Sequence, residues 1–373
     1  MSIFAIGNCM GGISGAFARM TEALDIDMSQ ALFTGSIPSI FCVFASIAIA
    51  LFGGKLKFYR GIVIFCCIMV IVAGTIPAIG AGYLFILISR SIYGIGLGGL
   101  QTLQNPVVTH LISSERRAFV LGICTSTGFA FQCLIQVIGG VLADMQWNYV
   151  FLAHLILIVP LVIILRTLPP TEVPHAKASD SAKEKLPAFV VFLCVIASLA
   201  ALLASPMLFS GAFYVSNLSG GATAAGIISM MYSLGCMLGG ITYPAFFQKL
   251  RFRSFAVHLP LGACGFLLSA TTDSLFLLGI GFALAGFGQC STFTGVMTSL
   301  SLLCKPTVIG KASALLMGLI NVCLFLCSSW LSFIGKITGD ALYAPLFIAA
   351  VLYLLMGIAL LLQNKRFDRH SDR

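Results

Sequence analysis

RSIYGIGLGGLQTLQN, residues 90–105, decides how this chain is read. The segment lies inside an apolar run long enough to cross a bilayer, yet it opens on a full positive charge. At about 100° per residue on a helix, Arg90, Tyr93, Gly94, Gly98, Gln101, Gln104 and Asn105 share one side. Ile92, Ile95, Gly96, Gly99, Leu100 and Leu103 share the other. Lipid cannot satisfy a polar stripe of that length. The stripe is therefore expected to face protein or water, which points to an aqueous path enclosed by helices.

Composition agrees. Hydrophobic residues form 59% of the 373-residue chain and charged ones 9%, so most of the sequence has no soluble fold available to it. No basic region precedes the first apolar run and no small-residue cleavage site follows it, which argues against a removable signal peptide. The net charge of +9 lies in short loops, an orientation pattern and not a nucleic-acid surface. The 13 cysteines form no C-x-x-C pair and read as packing residues, not as metal or redox ligands.

About 20 apolar residues span the hydrocarbon core as a helix. On that length the sequence predicts an all-α polytopic membrane protein with twelve transmembrane helices, near 1–18, 30–52, 61–80, 83–106, 117–142, 149–168, 187–209, 222–247, 254–271, 275–299, 309–335 and 341–363. The first is short, so Met1 either ends a vestigial tail or follows further chain. With the N-terminus cytoplasmic, of 21 basic residues only Arg19 and Lys336 fall outside and Arg90 within the membrane, leaving 18 inside. Both termini are thus expected in the cytoplasm of a multi-pass cell-membrane protein. The stretch TLPPTEVPHAKASDSAKEKLP, residues 167–187, reads as a flexible linker. It divides the chain into an N-terminal six-helix bundle (1–168), a linker (169–186), a C-terminal six-helix bundle (187–363) and a tail (364–373).

The halves repeat weakly. Lys55-Leu56-Lys57-Phe58 matches Lys249-Leu250-Arg251-Phe252 at an offset of 194, and Gly94-Ile95-Gly96 matches Gly286-Phe287-Gly288 at 192. Parallel repeats of this kind place a site between two halves. On these residues the chain resembles the major facilitator superfamily (MFS). Arg90-x-x-x-Gly94-x-Gly96-x-Gly98 is similar to its fourth-helix motif. Gly139-Gly140-Val141-Leu142 with Trp147-Asn148-Tyr149-Val150-Phe151 is similar to its fifth-helix glycine pair and Trp-x-x-x-Phe segment. Gly54-x-Leu56 with Lys57, Arg60 and Gly61 resembles its loop between helices two and three. Two departures stand out. Phe58 occupies the place of that loop's usual acid, and Ile135-Gln136 replaces the Gly-Pro of the drug-proton antiporters. The resemblance implies the MFS fold, with helices 1, 4, 7 and 10 around a cavity.

Polar faces mark the candidates for substrate binding. They are Arg90, Tyr93 and Gln101 on the fourth helix, Gln132 and Gln136 on the fifth, Tyr232 on the eighth, Gln289 on the tenth, Asn321 on the eleventh and Asn8 on the first. Ser229, Ser233 and Cys236 share the Tyr232 face. His154, His258 and His110 are expected to pack. No Asp or Glu stands in the middle of a helix. Intramembrane carboxylates are the usual proton relays, so Glu22, at the outer end of the first helix, and Arg90 are the candidates for proton coupling. One deep cation without a deep anion favours an anionic or neutral polar solute.

The expected function is therefore a secondary active transporter working by alternating access. Its partners are a small-molecule substrate, the bilayer and protons as a coupling ion. A multidrug or sugar-efflux proton antiporter of the same superfamily is the alternative. No catalytic constellation and no nucleotide loop is present, so an enzyme, a cofactor, a metal and nucleic acid are not expected, and the protein reads as a monomer.

Overall fold

The computed structural model describes residues 1–52, 59–80, 82–112, 114–169, 186–304 and 306–364. Residues 54–58 of the loop motif, most of the predicted linker, the tail beyond 364 and the side chains of Asn105 and His110 lie outside the described residues.

The chain folds as twelve transmembrane crossings in two six-helix bundles, and among the described residues there is no strand. Six crossings are single helices on the predicted pattern: Met28–Phe52, Tyr83–Leu111, Ser114–Met145, Ala222–Leu250, Leu275–Leu303 and Ala344–Leu362. Tyr59–Thr75 continues into Ile76–Ile79 as the third, and Phe255–Thr271 forms the ninth. Helices dominate because lipid offers no partner to a backbone N–H or C=O, so each span must satisfy its own. Apolar side chains such as Phe44, Phe65, Leu84 and Phe276 point outward, where a soluble protein would place charge.

Four crossings depart from the continuous helices expected. The first, read as 1–18, is broken: Ser2–Gly7 stops, a turn follows, and Ser14–Ala16 leads into Phe17–Leu24. Gly7, Gly11, Gly12 and Gly15 weaken helix formation there, and tertiary partners described below take the freed carbonyls. The sixth begins as a tighter 3₁₀ turn, Trp147–Leu157, before Ile158–Thr167. The seventh, Ala188–Phe209, is interrupted at Ser210, just past Pro206, and continues as Gly211–Asn217. The eleventh runs from Pro306–Phe325 into Cys327–Thr338.

Glycines set how closely the helices approach. A Cβ on Gly94 would fall against Pro38 of the second crossing, and one on Gly98 would lie 2.5 Å from Cys42. In the other bundle a Cβ on Gly286 would fall against the Tyr232 carbonyl of the eighth crossing. The fourth helix therefore meets the second as the tenth meets the eighth, which is the geometry behind the sequence repeat.

The named contacts between bundles lie in the half of the molecule away from Met1. Ser29 meets Ser332 at 3.1 Å, Ser14 meets Ser229 at 3.3 Å, and the Phe33 and Phe325 rings lie 5.9 Å apart. A Cβ on Gly226 would fall against the Gln136 carbonyl, and one on Gly15 would lie 3.3 Å from Gly226. Towards the other end, Gly310 and Gly318 of the eleventh crossing have no described residue within 4 Å of where a Cβ would stand.

Candidate functional site

The break in the first crossing takes the carbonyls of Gly7, Cys9 and Met10 out of regular helix, with Cys9 O keeping a turn bond from Gly12 N–H at 3.3 Å. The polar stripe of Tyr83–Leu111 supplies replacements. Gln101 Nε2 donates to Gly7 O at 3.2 Å, and Tyr93 Oη to Cys9 O at 2.8 Å. Arg90 Nη2 donates to Met10 O at 3.3 Å, and its Nε to Thr34 O of the second crossing at 3.4 Å. The Arg90 guanidinium also lies over the Tyr93 ring, 4.1 Å from its centroid. Buried Arg costs about 2.5–3.5 kcal/mol on insertion scales. Here carbonyl dipoles and a ring face offset that cost, although Nη1 has no hydrogen-bond partner. Both Arg90 and Tyr93 are 0% exposed. The stripe, expected to edge a cavity, instead packs on its neighbours at its charged end, because a broken helix presents more unmet acceptors than a cavity does.

His154 belongs to the same cluster. Its ring stands edge-on to Tyr93 with centroids 5.3 Å apart, and its Nδ1 lies 3.1 Å from Phe151 O. His258 is boxed by Tyr243, Phe246 and Phe287. Both are buried packing groups, as expected for those positions.

Neutral side chains gather where the bundles meet. Gln136 Oε1 accepts from Ser233 Oγ across the bundle interface at 2.8 Å, and Gln136 Nε2 is buried without a partner. A Cβ on Gly11, inside the break, would lie 3.0 Å from Gln132 Nε2, 3.4 Å from Gln136 Nε2 and 2.8 Å from Leu208 of the seventh crossing. Asn8 is half-buried and donates to Phe4 O at 3.0 Å. The structure thus brings Asn8, Gln101, Gln132 and Gln136 to the first crossing. In the other bundle, Gln289 Oε1 lies 3.9 Å from Cys236 Sγ, beside buried Tyr232. Asn321 donates to its own helix at Met317 O, 3.0 Å away. Among the described residues no three His, Cys, Asp or Glu side chains group as metal ligands.

A second polar cluster, at the end away from Met1, was not singled out in the sequence. Arg19 Nη2 pairs with Asp144 Oδ1 at 2.6 Å, and Arg19 Nη1 donates to the Ala143 and Asp144 carbonyls at 3.0 Å each. The Asp144 carboxylate in turn accepts from the backbone N–H groups of Ala222 at 3.0 Å and Thr223 at 2.8 Å. Those are the first residues of Ala222–Leu250, so an anion of one bundle caps a helix of the other. Opposite charges at the ends of the first and fifth helices away from Met1 were the available signal. Exposed Glu22 lines a small cavity of ≈ 180 Å³ beside Arg19.

Two helical bundles crossing a membrane and meeting along polar helix faces define a transporter-type membrane fold. The chain belongs to the Major Facilitator Superfamily, whose pattern matches residues 1–241. No curated protein matches it at a significant level. Among solved structures it is similar to a bacterial homologue of the human lysosomal transporter Spinster, in an inward-facing and occupied conformation. That match has 15% identity and a TM-score of 0.70, covering 99% of this chain and 95% of the other. It is also similar to a D-xylose-proton symporter (17% identity, TM-score 0.74, 97% and 96% covered). A third likeness is to the human organic anion transporter MFSD10 (17% identity, TM-score 0.68, 96% of each chain). At these identities the likeness concerns the fold.

Proposed function

We propose that this protein is a secondary transporter that moves a small neutral polar solute across the cell membrane by alternating access. The observation that carries the reading is the enclosure of Arg90. Arg90, the one charge deep in a span among the described residues, is fully buried and bonded to backbone carbonyls, so it is not presented to a solute. The polar groups beside the meeting of the bundles are amide and hydroxyl, Gln132 and Gln136 with Ser233, and on this reading Asn8, Gln101, Gln289 and Asn321 complete the lining. Such groups suit hydroxyls and carbonyls better than a bare carboxylate, which needs a cation to offset its desolvation. Arg90 and Tyr93 then act as positioning residues for the first crossing.

The bundles meet in the half away from Met1, while in the other no described residue approaches the Cβ positions of Gly310 and Gly318. This supports one end state of an alternating-access cycle. The basic loops support placing both termini in the cytoplasm, which makes this the inward-facing state. Among the compared structures a sugar symporter and an organic anion transporter stand side by side. The first fits the neutral lining, and Glu22 is the candidate for proton coupling on the outer side.

The test is tracer uptake into proteoliposomes with two panels, neutral (D-xylose, myo-inositol, glycerol) and anionic (lactate, succinate, benzoate). Saturable uptake confined to neutral solutes is expected. Saturable uptake of the anions alone refutes the reading.

A further inference from the structure

We infer that Gln132 and Gln136 form a paired-amide subsite that grips an acceptor oxygen of the transported solute, with Ser233 sharing the Gln136 amide across the bundle interface. The inference deepens the proposed function and rests on this region being the transport site, but not on the solute being neutral, since a carboxylate also presents acceptor oxygens.

Three observations converge. Gln136 is 2% exposed and its Nε2 carries two N–H groups with no acceptor among the described residues. Leaving a buried donor unmet costs about 1–3 kcal/mol, and such groups are rare enough to need a cause. Second, Gln132 Nε2 comes to the same point, 3.0 Å from the missing Cβ of Gly11 against 3.4 Å for Gln136 Nε2. Two amide nitrogens therefore converge on a residue with no side chain, inside the broken crossing. Third, Leu208 of the opposite bundle closes that point, 2.8 Å from the same missing Cβ. In this state a hydrocarbon side chain covers a pair of hydrogen-bond donors.

The chemistry follows from that mismatch. A solute hydroxyl or carbonyl oxygen replacing the Leu208 methyl would receive N–H donors from both amides. The Gln136 amide is already polarised, because its Oε1 accepts from Ser233 Oγ of the C-terminal bundle. Hydrogen bonds in a chain strengthen one another, so the solute oxygen and the Ser233 hydroxyl are linked through one amide. Occupancy in the N-terminal bundle is thereby felt at the helix Ala222–Leu250 of the other. Solutes without an acceptor oxygen gain nothing here.

The experiment separates a binding role from a packing role with the double variant Gln136→Leu/Ser233→Ala and the single variant Gln132→Leu, each in full-length protein. If the amides bind solute, removing the Gln136 amide together with Ser233, the donor to its Oε1, leaves the melting temperature in detergent unchanged or higher. Uptake of whichever panel solutes the wild type moves falls about tenfold or more, the equivalent of one lost hydrogen bond or greater. Gln136→Glu, which keeps an acceptor for Ser233 but loses the amide donors, shows the same uptake loss. A double variant that transports at the wild-type rate overturns the subsite. So does one that melts several degrees lower, because that identifies the amide as a fold-supporting bond. If only anions move in the wild type, the neutral-solute reading fails while the same variants still judge the subsite. If no panel solute moves, the melting comparison alone decides it.

Discussion

Asp144→Asn should loosen the contact between the bundles at the end away from Met1 without unfolding either one. Asn keeps the size and one acceptor oxygen but loses the charge. Two effects are removed. The Arg19–Asp144 pair is partly exposed, at 42% and 33% of the two side chains, so it is worth about 0.2–1 kcal/mol. A negative charge on the first N–H groups of Ala222–Leu250 adds about 0.3–1 kcal/mol. The sum, about 0.5–2 kcal/mol, shifts the closed-to-open equilibrium about 2- to 30-fold at 1.4 kcal/mol per tenfold. Amide hydrogen exchange by mass spectrometry in nanodiscs reads it directly, since the Ala222 and Thr223 amides are the donors concerned. Exchange across 222–226 should accelerate by that factor, while a peptide over Phe282–Cys290 in the tenth crossing stays protected. Arg19→Gln removes the ion pair and the bonds to the Ala143 and Asp144 carbonyls but leaves the carboxylate on the Ala222 and Thr223 N–H groups, so its effect on exchange there should be smaller. Unchanged exchange at 222–226 in Asp144→Asn, acceleration spread over the whole protein, or a larger effect from Arg19→Gln than from Asp144→Asn would each refute the assignment of Asp144 as the hub.

Further expectations follow from the same geometry. Tyr93→Phe removes the buried hydroxyl donor to Cys9 O, which keeps its bond from Gly12 N–H, and should lower stability by about 0.5–1.5 kcal/mol, read as a lower melting temperature in detergent. Arg90→Met should be tolerated worse, because the Met10 and Thr34 carbonyls both lose their side-chain donor. Wild-type stability in Arg90→Met would remove the positioning role. Gly235→Ala sets a Cβ against the backbone of Ala283, where nothing flexible can give way, so folded yield should fall sharply. Gly318→Trp enters open space and should keep the melting temperature while reducing uptake by obstruction. If protons are coupled through Glu22, Glu22→Gln should abolish solute-dependent pH change in the liposome lumen, and an unaltered signal excludes that residue.

Several of these features could be read from the sequence. The count of crossings came from apolar length alone, because lipid leaves helices little competition. The repeat between Gly94-x-Gly96 and Gly286-x-Gly288 reported a real equivalence of helix contacts, since close approach of backbones requires glycine in both halves. What the stripe faces was less legible. A polar helix face says that it must not meet lipid, and it says equally that it meets water or unmet backbone groups. The choice between those turned on a break in another helix, after Gly7, that hydropathy does not register. The Arg19–Asp144 cluster was illegible for a similar reason. Each charge sits at a helix end where charges are common, and only the packing of three helices reveals that they meet.

The repeat also shows why the charge is on one side only. At the offset of 192 that aligns Gly94 with Gly286, Arg90 stands opposite Phe282. Each residue lies beside an interrupted crossing of its own bundle, Arg90 at the first and Phe282 at the seventh, where it packs 6.0 Å from Tyr214 and beside Gly211. The two interruptions differ in what they leave unmet. The seventh resumes almost at once, and Ser210 N–H still reaches Pro206 O at 2.7 Å, so a ring suffices to fill the space. The first stays open over several residues and exposes carbonyls to the bundle interior, which calls for a multidentate donor with a fixed fork. Arg90 thus has a sufficient structural cause in the fold of the first crossing. Its presence in the fourth-helix motif is then no argument for an anionic solute, which is why the proposed function puts recognition on the amides instead.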